Sequence, residues 1–160
     1  MGQAKFYYQD KNTPKPNKPN HIGTNAIIEY NGKLLLEHRA DSEYWGLIGG
    51  ALEIDECLVD GIIREIKEET GMDICQSQLA FYKIFDDPTR IASYPDGNVL
   101  RIISVVYLLK LTKAFELKCS CESRELKYFT IEEIKGLSIA RSHMPILEDY
   151  CSKHGAPEIL

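Results

Sequence analysis

The sequence predicts a single α/β (or α+β) layered domain built on a mixed sheet. Three observations predict it: a hairpin signal between two apolar runs near the start, a change to helical period after residue 50, and further apolar runs before, between and after helical segments. At 160 residues the chain suffices for one ordinary core and not for two.

In chain order, residues 10–20 (DKNTPKPNKPN) place three prolines among Asn and Lys, which excludes a helix or a central strand there. Residues 1–20 are therefore expected as a tail or linker and 21–160 as the domain. Phe6-Tyr7-Tyr8 is expected to dock on the body, to meet a second subunit in a homodimer, or to stay idle. From residue 22 the runs IGTNAIIEY and KLLLEHR flank Asn31-Gly32, a pair that accepts the positive φ of a tight hairpin turn. A loop with Asp41 and Ser42 leads to YWGLIGG at 44–50, and a helix is expected over 56–70. Strands are expected at 79–85, 99–111 and 126–129. The polar stretch 86–98, with its Pro-Asp-Gly-Asn turn signal, is expected as a long loop. Residues 131–136 and 142–154 are expected as closing helices.

Composition excludes several classes. With 44% hydrophobic and 27% charged residues the profile is that of a globular protein. The longest apolar stretch, 102–109, is far below the roughly 20 residues of a membrane helix. The first residues carry no signal-peptide core, and five cysteines, one inside a predicted helix, fit a reducing cytoplasm better than a disulfide scaffold. A net charge of -5 argues against a general nucleic-acid binder, yet leaves anionic small molecules open if a metal supplies positive charge.

The helix at 56–70 carries the chemistry. On a wheel of 100° per residue, Val59, Ile62, Ile63 and Ile66 form an apolar arc, while Glu68, Glu65 and Glu69 fall at roughly 120°, 180° and 220° from Glu56. Mixed Glu and Lys on a helix usually make a solvated face. Here like charges gather in the last turn, where the helix dipole disfavours anions. A hard divalent cation that takes oxygen ligands removes that repulsion. Gly61 either leaves room beside the cluster or packs against a strand, and Gly71 caps the helix in a left-handed conformation.

The run from Gly50 through Glu56, Arg64-Glu65, Glu68-Glu69 and Gly71 to Met72 resembles the Nudix box, G-x5-E-x7-R-E-U-x-E-E-x-G-U with U bulky and apolar, at every position. Chance would produce the seven fixed residues on the order of once in a million such chains. The flanks are also similar: the strand ending in Arg39, Trp45 ahead of the double glycine, and Glu125 to Phe129. Ile48 and Asp55 depart from the usual Pro and Gly around the box, and neither supplies a ligand in the family's scheme.

The resemblance implies a Nudix-like α/β/α sandwich around a mixed, mostly antiparallel-edged sheet. It implies that Glu65, Glu68 and Glu69, with the Gly49 carbonyl, hold Mg²⁺ or Mn²⁺, with Glu53 as a candidate outer ligand. Glu65, or a carboxylate from a distant loop such as Glu122 or Glu125, is the expected base. Arg64 is expected in the catalytic set, either paired with Glu56 to orient the helix or touching phosphate; Gly50, Glu56 and Gly71 are expected as structural. Arg39 is the expected phosphate clamp, and Arg90, Tyr94 and Arg101 the expected contacts to the rest of the substrate. Trp45 is read as core before base-stacking platform. The implied activity is hydrolysis of a phosphoanhydride in a nucleoside diphosphate linked to another moiety, ADP-ribose or a nucleotide sugar. The alternatives are a nucleoside triphosphate pyrophosphatase and a nucleotide sensor that has lost catalysis.

Overall fold

The Asn31-Gly32 turn joins β2 (His21–Tyr30) to β3 (Lys33–Arg39), with both turn residues at positive φ, 51° and 74°, and Tyr30 opposite Lys33. The hairpin expected from that dipeptide is present. The computed structural model describes residues 2–154, so the last six residues of the expected domain lie outside the described residues.

β2 organises the sheet. It pairs antiparallel with β3 and with β5 (Ile48–Ala51), and parallel with the long β8 (Val99–Lys110) from His21↔Ile102 to Glu29↔Lys110. That one parallel pair makes the sheet mixed, while β4 (Trp45–Gly46), β6 (Leu79–Phe85) and β9 (Ser123–Phe129) add antiparallel at β3 or β8.

Alternation along the central strands sends successive side chains to opposite faces. Ala26, Ile28, Leu35 and Ile48 meet Ile62 and Ile66 of α1 (Leu58–Thr70). Ile27, Leu34 and Leu36 meet Ile134 of α2 (Ile131–Ile134) and Ile146, Leu147 and Tyr150 of α3 (Met144–His154). Helices thus cover both faces, the expected α/β/α layering.

Three expectations are corrected. Residues 5–7 are not tail: β1 (Lys5–Tyr7) pairs with β7 (Ile91–Ser93), and Phe6 is buried. The apolar segment therefore docks on the chain's own body, and Asn17 holds the proline-rich stretch to the same region through bonds with Val99 and Gly97. β7 lies inside the stretch expected as an unbroken loop over 86–98; it forms a hairpin with β8 across the Pro-Asp-Gly-Asn turn and pairs on its other side with β1, distant in sequence and invisible to local pattern. The helix begins at Leu58, with Cys57 as an N-cap that makes no side-chain bond, so Glu56 stands in the loop before it.

Candidate active site

α1 packs against β5 with an unusual buried stripe. Gly61, Ile62, Glu65, Ile66, Glu69 and Thr70 are its buried residues, so two of the three clustered carboxylates belong to the packed face and Val59 and Ile63 sit at its margin. Glu68 is exposed. The helix ends where expected, with Gly71 at φ 78° and its N–H bonded to Lys67 O at 2.9 Å.

Two glycines of β5 make this packing possible. A Cβ on Gly50 would lie 2.6 Å from Glu65 Oε1, and one on Gly49 would lie 2.1 Å from Thr24 O. Gly50 thus lets the strand backbone come against the Glu65 carboxylate, and Gly49 lets it come against Thr24 and Asn25 of β2. Gly49 N–H donates to Glu69 Oε2 at 2.8 Å.

Arg64 lies at the edge of the stripe. It donates to Glu56 Oε1 at 2.6 Å and Oε2 at 2.9 Å, to Glu65 Oε1 at 2.9 Å, to Glu68 Oε2 at 3.1 Å and to Ala51 O at 3.0 Å. Hydrogen bonds from Arg64 hold the Glu56 carboxyl far down, to about 2. One nitrogen, Nη1, holds both Glu65 and Glu68. Glu53 is 3.7 Å from Arg64 and exposed, and its N–H donates to Glu56 Oε1.

A cleft of about 590 Å³ opens over Glu65, Glu69, Gly49 and Gly50, and is also lined by Arg39, Tyr94 and Glu122. Seven of the residues expected at the site therefore meet there. Glu53, Glu56, Arg64 and Glu68 stand beside it, joined through Arg64. Arg39 donates bidentately to Asp41 at 2.8 and 2.7 Å and lies 5.0 Å from the centre of the Phe6 ring, while its Nη1 pairs with Glu37 Oε1 at 3.8 Å, an ion pair without a hydrogen bond.

Two expected substrate contacts, Arg90 and Arg101, and one expected base, Glu125, are elsewhere. Arg90 is fully buried, and its five donors are consumed by Ser142 O (twice), Phe85 O, Ile102 O and Ser104 Oγ. It ties β6, β8 and the approach to α3 together and has no donor left for a ligand. Arg101 donates to Asp86 O and does not line the cleft. Glu125 is exposed on β9 opposite His38 and is likewise absent from the cleft wall, so of the two distal carboxylates only Glu122 reaches it. Trp45 is core, stacked on His38 and edge-on to Phe129.

Sequence reasoning missed Glu37 and His143. Glu37 is 3% exposed, accepts from Ser123 Oγ and lines the cleft. Its signal was present: alternation in β3 puts Glu37 on the face of Leu35, the face that packs on α1. Burial, then Glu37 as a neighbouring charge, raises the Glu69 carboxyl well above the usual range. Burial likewise raises Glu37 and Glu65. His143 arrives from the segment before α3 and gives no sequence signal.

The donor set fits a hard divalent cation. Three buried carboxylates share one cleft and all their donors are oxygen; Arg39 faces Glu37 and Arg64 holds Glu65, while desolvation and the charge of Glu37 leave Glu69 short of positive charge. Among the described residues no three acidic, His or Cys side chains converge on one ion position; Glu68 is held away by Arg64.

The family model described as the NUDIX domain matches residues 19–150. An ADP-ribose pyrophosphatase of Methanocaldococcus jannaschii is 30% identical over 132 residues, 81% of this chain and 72% of that protein. A nucleoside triphosphatase NudI of Escherichia coli is 30% identical over 106 residues, 63% of this chain and 69% of that protein. A bifunctional NMN adenylyltransferase/ADP ribose pyrophosphatase of Francisella tularensis, solved with AMP and a manganese ion, matches with a TM-score of 0.70 and 28% identity over 88% of this chain. The match spans 44% of that longer chain.

Proposed function

The chain belongs to the NUDIX family, and on that premise we propose that it hydrolyses a phosphoanhydride bond in a nucleoside diphosphate linked to another moiety, of the ADP-ribose or nucleotide-sugar type. The observation that carries the reading is the meeting of Glu65 and Glu69 with Arg39 and Tyr94 in one cleft of about 590 Å³, room for more than a pyrophosphate.

Mg²⁺ is the proposed ion and Mn²⁺ its alternate; when bound, it offsets phosphate charge and lowers the pKa of a bound water. Glu65, Glu69 and the Gly49 carbonyl would hold it, with Glu68 joining once released from Arg64. The Gly49 N–H on Glu69 fixes the strand to the helix so that both sets of oxygens face the cleft. Arg64 positions Glu65 while its link to Glu56 anchors the preceding loop. Glu65 or Glu122 accepts the proton from the attacking water, being carboxylates of the cleft wall. Arg39, oriented by Asp41, presents Nη1 to a phosphate oxygen, and Tyr94 bounds the leaving part.

The resemblance to NudI supports nucleoside triphosphates as a second substrate class. The intact box glutamates weigh against a sensor that has lost catalysis. A homodimer belongs to the proposal, supported by exposed Phe81 and Ile84 on β6. A cytoplasmic setting is supported by five free cysteines. Among the described residues no helix is long and apolar enough to cross a membrane.

A panel of ADP-ribose, nucleotide sugars, dinucleotides and nucleoside triphosphates, with Mg²⁺ and with Mn²⁺, tests the reading by product identity. Two phosphorylated products from a diphosphate-linked substrate are expected. Release of pyrophosphate from triphosphates alone would favour the second class, and no turnover of any substrate would favour the sensor.

A further inference from the structure

The cleft has a second wall of different chemistry. The same cleft is lined by Asn25, Ser104, Ser142 and His143, neutral groups that both donate and accept. Phosphate recognition uses cations or clustered N–H donors, and this wall offers neither. Paired neutral donors and acceptors suit hydroxyl groups.

The wall is built, not incidental. Trp45 N–H bonds to Ser138 O at 2.8 Å and Ala140 N–H to Trp45 O at 2.9 Å, which pins the segment before α3 to β4. His143 N–H then bonds to Ala140 O at 2.8 Å, and Arg90 grips Ser142 O from behind with two donors. Leu47 N–H donates to His143 Nδ1 at 3.1 Å, so the ring proton resides on Nε2 and that atom is a donor. A Cβ on Gly46 would lie 2.9 Å from His143 Nδ1; the glycine makes space for the ring. Burial, reinforced by the charges of Arg39 and Arg90, pushes the imidazole down to about 3, which keeps it neutral. Ser142 is 1% exposed, and its Oγ has no hydrogen-bond partner. A buried hydroxyl without a partner costs stability, and a ligand in this cleft can supply that partner.

We propose that His143, with Ser142 and Asn25, is a hydroxyl-binding wall that selects substrates carrying a sugar beyond the diphosphate. The proposal rests on the hydrolase reading above for its substrate class. His143 is thereby a specificity-determining residue, not a participant in the displacement at phosphorus.

The test compares ADP-ribose with AMP in binding calorimetry, with Ca²⁺ replacing Mg²⁺ as a hard ion of equal charge, alongside turnover in Mg²⁺. His143→Asn retains an acceptor for Leu47 N–H and removes the Nε2 donor. Wild type is expected to bind ADP-ribose more tightly than AMP, and His143→Asn to weaken ADP-ribose roughly 3- to 10-fold, the worth of one hydrogen bond, with AMP unchanged. Ser142→Ala is expected to shift ADP-ribose in the same direction without lowering Tm, which keeps the test decisive if the His143 variant folds poorly. Equal losses for AMP and ADP-ribose would assign the wall to the nucleoside and overturn the proposal, as would unchanged ADP-ribose affinity in both variants. Preferential binding of ADP-ribose without turnover of any substrate would sink the hydrolase reading and leave this one standing.

Discussion

The Glu69 carboxylate accepts the backbone N–H of Gly49 at 2.8 Å, joining the last turn of α1 to the glycine pair of β5. The bond sets a buried, desolvated acid beside a strand that only glycine lets approach so closely. Burial, with Glu37 and Glu65 facing the same cleft, makes ionising this acid costly in the metal-free protein.

Glu69→Gln is expected to keep the fold, since an amide oxygen still accepts from Gly49. Replacing an acid that is costly to ionise should leave the metal-free Tm nearly level at neutral pH, where burial keeps it protonated, and raise it by a few degrees, on the scale of about 1 kcal/mol, at pH above about 9. Thermal melts in chelator and in Mg²⁺ check this: Mg²⁺ should raise the wild-type Tm and affect the variant far less.

The pH dependence follows from the raised carboxyls. Burial raises Glu37, Glu65 and Glu69 above the ordinary value of 4.5, so the folded state binds more protons than the unfolded chain in this range. The stability they contribute is complete below about 4.5 and is lost as pH rises through their raised values. Metal-free Tm should therefore fall between roughly pH 5 and pH 9 on their account, and Mg²⁺ should raise Tm more at pH 8 than at pH 6. Glu56, held down to about 2, acts the opposite way and only in acid, where its contribution is lost as pH falls through that value. A Tm series at constant ionic strength, with and without Mg²⁺, measures both.

Arg64→Ala removes the one side chain that joins Glu56, Glu65, Glu68 and Ala51 O. A loss of about 2 to 3 kcal/mol in urea unfolding is expected, with Arg64→Lys recovering only part because an ammonium lacks the fork.

Arg90→Met is expected to cost about 3 kcal/mol or more, since it strands the carbonyls of Phe85, Ile102 and Ser142 without their donor. As the residue does not line the cleft, KM of the surviving folded fraction should stay near wild type; a large rise in KM at unchanged stability would return Arg90 to the substrate.

A chain lacking residues 1–8 loses β1 and uncovers the Arg39 guanidinium, which lies over Phe6. Lower Tm together with a raised KM is expected, because Phe6 and Arg39 line the same cleft.

Much of this was legible in the sequence where physics is local. Asn31-Gly32 announced its hairpin, and the glutamates gathered against the helix dipole marked the element whose Glu65 and Glu69 line the cleft. The apolar arc alone did not say that Glu65 and Glu69 would be packed inward, because the space beside Glu65 belongs to Gly50 and the N–H that holds Glu69 to Gly49, both on another element. Arg90 read as a loop cation for the substrate, and its burial depends on acceptors from β6, β8 and the segment before α3 that no local pattern brings together. Glu37 was readable from the two-residue alternation of its strand. His143 was not readable, since its place depends on the bond that Leu47 N–H donates to its ring across 96 residues, which no local pattern encodes.

The most direct test of the central claim is product analysis of ADP-ribose incubated with wild type and with Glu69→Gln, each in Mg²⁺ and in chelator. Wild type should release AMP and ribose 5-phosphate in Mg²⁺ alone, and Glu69→Gln should release neither while remaining folded. Equal product in chelator, or undiminished turnover by the variant, would contradict a metal-dependent hydrolase built on these glutamates.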